Sequence, residues 1–126
     1  MKNRERTPGE KESAVSALPK LKLLVTVVNR EKAELYMDFL QGFEINMQLS
    51  LAAHGTASQE TMHLLGLTDT KKAVLLGIVR EDRANAALQF LEKKFQTIRN
   101  GKGIAYTVPL SGVIGVAIYQ FLSNQA

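Results

Sequence analysis

Two short stretches of this chain carry residue types suited to holding an anion. The first is Gly55-Thr56-Ala57-Ser58-Gln59, in which Thr56 and Gln59 have the spacing of a capping box. If a helical turn starts there, its free N–H groups and the two hydroxyls can grip a phosphate or a carboxylate. The same residues also suit an ordinary capped turn that covers a sheet edge. The second stretch is Gly101-Lys102-Gly103. Its glycines let backbone approach a ligand and its lysine can meet a phosphate, but a plain helix-to-strand turn fits it too. It lacks the spacing of a phosphate-binding P-loop.

Other chemistry finds little support. His54 and His63 are the only histidines, and Glu60 is the single carboxylate near them, so both read as surface residues and not as metal ligands. Asp69 stands apart, which argues against triads and paired-carboxylate mechanisms. With no cysteine, disulfides, thiolate metal sites and cysteine nucleophiles are excluded. Enzyme activity is not expected.

The chain has 126 residues, 45% hydrophobic and 22% charged, which suits one domain with one core. Its net charge of +4 divides equally between residues 1–20 and the remainder, and acidic residues are interspersed in both. Neither part has the one-signed density that a phosphate backbone requires, so no nucleic-acid partner is expected. No apolar run approaches the ~20 residues that span a bilayer. No membrane insertion is therefore expected, and a cytoplasmic location is.

These candidate sites must be positioned by a small set of elements. Residues 1–19 have no periodic apolar pattern and are expected to form a disordered tail, leaving 20–126 as the domain. Leu21 to Val28 reads as a central strand. Asn29 can cap a short helix whose Ala33, Tyr36, Met37 and Leu40 share one face, with a stop at Gly42. Ile45, Met47, Leu49, Leu51 and Ala53 then alternate with Asn46, Gln48, Ser50, Ala52 and His54, a pattern expected to turn its apolar side to helices. Ala73 to Val79 is a third strand. Asp82 is placed to cap a second helix with a stripe of Ala84, Ala87, Leu88, Leu91, Phe95 and Ile98. Ile104 to Val108 is a fourth strand, and Val113 to Leu122 a last apolar segment, strand or short helix.

The order strand, helix, strand, strand, helix, strand predicts an α+β, ferredoxin-like βαββαβ sandwich, with both helices on one face of an antiparallel sheet. The other face is left bare. Late apolar residues such as Tyr106, Tyr119 and Phe121 suggest that another subunit closes it, so a homo-oligomer is expected. Residues 54–71 join two strands that a few residues could connect, which marks a long functional loop. Within it, Met62, Leu64, Leu65 and Leu67 form an apolar side that can be presented to a protein partner.

On these residues the chain resembles the PII-like nitrogen regulatory and signal-transduction proteins. The resemblance covers about residues 21–120. It rests on Lys22-Leu23-Leu24-Val25, the long loop from Gly55, and Gly101-Lys102-Gly103-Ile104-Ala105-Tyr106 followed by Val108. It implies a homotrimer with ATP or ADP, as an effector and not a cofactor, in clefts between subunits. Gly55, Thr56, Ala57, Ser58, Gly101 and Lys102 would line each cleft, with Gln59 and Gly103 beside them. The chain lacks the arginine of the family's Gly-x-Gly-Arg-Gln loop start, and has Val113-Ile114-Gly115-Val116 where the family has paired arginines.

The expected function is a PII-like regulatory protein that binds a small anionic effector and acts on a partner protein through its loop. Two alternatives are an assembly module and a small enzyme with an interface active site. The enzyme would need a polar group in the core, and the inward positions assigned from the pattern are all apolar.

Overall fold

A computed structural model describes residues 20–56, 60 and 71–115. Four strands, β1 (Leu21–Asn29), β2 (Gln48–His54), β3 (Lys71–Arg80) and β4 (Gly103–Pro109), alternate with two helices, α1 (Ala33–Gln41) and α2 (Glu81–Thr97). A 3-10 turn, Arg30–Lys32, leads into α1. The sheet runs β2-β3-β1-β4 with every neighbouring pair antiparallel. This is the ferredoxin-like order, with β1 and β3 central, as their long apolar runs require. The expected tail 1–19 and the last segment from 116 onward lie outside the described residues, and Val113–Gly115 belongs to neither strand nor helix.

The core lies between the sheet and the helices. Leu24 and Val28 of β1, with Ala73, Leu75 and Val79 of β3, meet Ala33, Tyr36 and Leu40 of α1 and Ala84, Ala87 and Leu91 of α2. Leu88, Phe95 and Ile98 pack against this cluster, so the predicted α2 stripe is its packing face, although Ile98 stands just past the helix as its cap. Thr26 also points inward and is fully buried, and its hydroxyl has no hydrogen-bond partner. The inward positions are therefore not all apolar. Between the helices, Phe90 stands edge-on to Phe39 and Phe43, and the Lys94 ammonium lies over the Phe39 and Phe90 rings at 5.0 and 5.2 Å.

Two local expectations are corrected. The Asn29 side chain makes no cap bond to the turn that follows it. Asp82 is not the cap of α2 either. Arg80 holds that place, and the Asp82 carboxylate accepts two hydrogen bonds from its guanidinium, at 2.7 and 3.1 Å. The expected stop after α1 holds, with Gly42 as the helix cap, and the left-handed residue that follows is Glu44, at φ 62°.

The most consequential correction concerns β2, which starts at Gln48 and faces the opposite way from its expected packing. Gln48, Ser50 and Ala52 pair with Gly77, Leu75 and Ala73, whose side of the sheet faces the helices. The Gln48 amide donates to the Met37 carbonyl of α1 at 2.9 Å, which holds this register. Gly77 is required opposite it, because a Cβ there would come within 2.9 Å of the buried Ile45 side chain. Leu49, Leu51 and Ala53 consequently lie on the face opposite the two described helices. Alternation by two defines sides but cannot say which one meets a helix.

Candidate functional site

One end of the sheet gathers the features singled out in the sequence. β2 ends at His54, β3 begins at Lys71 directly opposite it, and the Gly-Lys-Gly turn enters β4 beside the end of β1, with Gly103 facing Val28. Both ends of the connection 55–70 and the turn are thus at the same end of the sheet. They are not on the same edge. β2 and β4 are the two outer strands, three strand spacings apart, roughly 14 Å.

Side chains missed by the sequence reading fill the space between. Arg30 donates from Nη2 to the Ala53 carbonyl at 3.0 Å and from Nε to the Lys72 carbonyl at 3.3 Å, so one guanidinium holds both legs of the connection. Asn29, 4% exposed, accepts a hydrogen bond from the Lys72 ammonium, itself on a residue 8% exposed, and donates from Nδ2 to the Asn100 carbonyl at 2.7 Å. A polar pair ending an apolar strand, and a lysine opening another, were the available sequence signals. Such groups stay buried only when bonded.

The turn itself is set from within. Asn100, at φ 56°, is the left-handed residue of the turn that follows the Ile98 cap of α2. The Gly101 carbonyl accepts from the Tyr36 hydroxyl at 2.5 Å. A Cβ on Gly101 would sit 2.7 Å from Ile98 and 2.9 Å from the Tyr36 oxygen, and one on Gly103 2.5 Å from the Val27 carbonyl oxygen. Packing alone thus accounts for both glycines. Of the three turn residues only Lys102 is exposed. Tyr36 is fully buried, and this burial pushes its phenol above the ordinary value of 10.0.

Of the other candidate residues, Gly55 is half-buried and Thr56 exposed just beyond β2. Ala57, Ser58, Gln59, Met62, His63, Leu64, Leu65 and Leu67 lie outside the described residues. His54 and Tyr106 belong to opposite outer strands and opposite faces of the sheet, so no pocket unites them. Among the described residues no three His, Asp or Glu side chains converge as metal ligands would.

Against known proteins, no family model and no curated protein matches the chain. Solved structures do. CPII, a nitrogen regulatory PII-like protein from Thiomonas intermedia K12 bound to ADP, AMP and bicarbonate, superposes with a TM-score of 0.55 at 14% identity, over 75% of this chain and 96% of its own. A protein of Thermus thermophilus described as a PII-like signalling protein gives 0.56 at 20% identity, over 73% and 87%. This chain has the PII-like fold. A functionally unknown protein from Pediococcus pentosaceus ATCC 25745 gives 0.58 at 13% identity, over 78% and 99%.

Proposed function

We propose that this protein is a regulatory protein of PII-like type, which binds a small anionic effector, an adenine nucleotide in the first instance, in clefts between the subunits of a homotrimer. The observation that carries the reading is the placement of the two candidate half-sites at one end of the sheet but on opposite edges. A ring of copies brings the β2 edge of one protomer against the β4 edge of the next, joining Gly55 to Gln59 of the first with Gly101 to Gly103 of the second. The ADP, AMP and bicarbonate held by the solved CPII structure support the ligand class.

The bare face of the sheet supports the ring. By register it carries Leu23, Val25 and Val27 of β1, Val74, Leu76 and Ile78 of β3, Leu49 and Leu51 of β2, and Ile104, Tyr106 and Val108 of β4. Leu49, Leu51, Ile104, Tyr106 and Val108 are each at least 41% exposed in the single chain. An apolar surface of this continuity marks an interface. In the same reading Met62, Leu64, Leu65 and Leu67 meet a protein partner, and ligand binding biases how the connection presents them.

Calorimetric titration with ADP, AMP and bicarbonate, singly and together, tests the ligand. Binding is expected, and Lys102→Ala is expected to weaken nucleotide binding about tenfold through loss of a charge-assisted hydrogen bond. No heat with any combination would exclude the nucleotide reading and leave the assembly role, which the apolar face favours independently.

A further inference from the structure

We infer that Asn29, Arg30 and Lys72 are positioning residues that link the two ligand half-sites within each protomer. The inference rests on the reading of those half-sites proposed above. Arg30 ties the β2 leg of the connection to its β3 leg through the Ala53 and Lys72 carbonyls. Lys72 then bonds Asn29 on the central strand, and Asn29 bonds the Asn100 carbonyl at the head of the Gly-Lys-Gly turn. A continuous set of polar contacts thus crosses the sheet from the β2 edge to the β4 edge.

Its members have little freedom to act separately. Asn29 and Lys72 are buried, so breaking one contact strands a polar group away from water, and the cheaper response is for the neighbouring groups to move together. Tyr36 holds the following residue of the turn through the Gly101 carbonyl, which leaves Asn100 as the point where the turn meets this set. In a ring, the two edges of one protomer border different clefts. A ligand that draws on the turn in one cleft therefore biases the connection that borders the next, and by linkage the reverse holds as well.

Hydrogen exchange with mass-spectrometric readout on the full chain tests this. The deciding variant is Lys72→Met, which keeps the apolar stem and removes the ammonium that bonds Asn29, the residue that in turn bonds the Asn100 carbonyl. Without ligand, Lys72→Met is expected to raise exchange at residues 100–103 about fivefold or more while the α2 interior, 84–91, stays protected. Unchanged exchange at 100–103 would overturn the inference. If exchange rises throughout, α2 included, Asn29→Ser replaces it and must loosen both 100–103 and 71–73. Loosening of only one of them also overturns the link.

A second arm adds ADP. Slowed exchange at 53–54 and 71–73 in the unmodified protein, lost in Asn29→Ser while protection at 100–103 remains, is the expected pattern. Retention of the slowing at both segments in Asn29→Ser counts against the link. Failure of ADP to bind the unmodified protein would sink the nucleotide reading, whereas the Lys72→Met result decides the link without ligand.

Discussion

Tyr36 shows how a single side chain serves both the core and the site. Its ring packs with Phe39 and Phe95, while its hydroxyl holds the Gly101 carbonyl. Tyr36→Phe leaves that carbonyl without this donor and is expected to cost about 1–3 kcal/mol, measured by urea unfolding. The raised phenol also makes stability depend on pH in the alkaline range. The folded state favours the protonated form, so its contribution is complete below the ordinary value of 10.0 and is lost as pH rises through the raised one. The melting temperature should fall more steeply above pH 10 in the unmodified protein than in Tyr36→Phe. Thr26 gives the opposite case. Its buried hydroxyl is unpartnered, so Thr26→Val should be neutral or stabilise by up to about 1 kcal/mol.

Among the elements, the turn into β4 is the most tightly determined. Gly103→Ala would bring a Cβ to 2.5 Å from the Val27 carbonyl oxygen and to 2.9 Å from Phe95 and Val28. The neighbours on one side are backbone, which cannot yield, so a loss of about 1–3 kcal/mol is expected from the urea midpoint. If the variant were as stable as the parent, the glycine would have to be explained by a ligand and not by packing. The helices were legible because their apolar residues recur every three or four positions, and that periodicity is carried by the chain itself. The orientation of β2 was not, since its alternation set the apolar side toward the helices, whereas the pairing of Gln48, Ser50 and Ala52 with Gly77, Leu75 and Ala73 puts the other side there.

For the whole molecule, the decisive feature is the apolar face that neither described helix covers. Leu51 and Ile104 lie on its two outer strands. Placing a carboxylate at both, Leu51→Asp with Ile104→Asp, would bury charge in any interface formed there, at several kcal/mol per subunit contact. Sedimentation should then report a mass falling from that of a trimer to that of one 13.9 kDa chain. Circular dichroism should remain that of an α+β protein, since neither residue belongs to the helix-side core. A trimer that survives both substitutions would show that this face is not the assembly surface.

By itself the sequence determined the order and kind of the four strands and two helices among the described residues, the stripe of Ala84, Ala87 and Leu91, and the two anion-suited stretches. Each of these follows from residues near one another in the chain. The tertiary structure alone decided which side of β2 lies beneath the helices, that Gly55 and Thr56 follow one outer strand while the Gly-Lys-Gly turn enters the other, and that Asn29 binds Lys72 and Asn100, 43 and 71 positions away. Such facts depend on strand order and register, and these arise from packing between segments that carry no local mark of their partners.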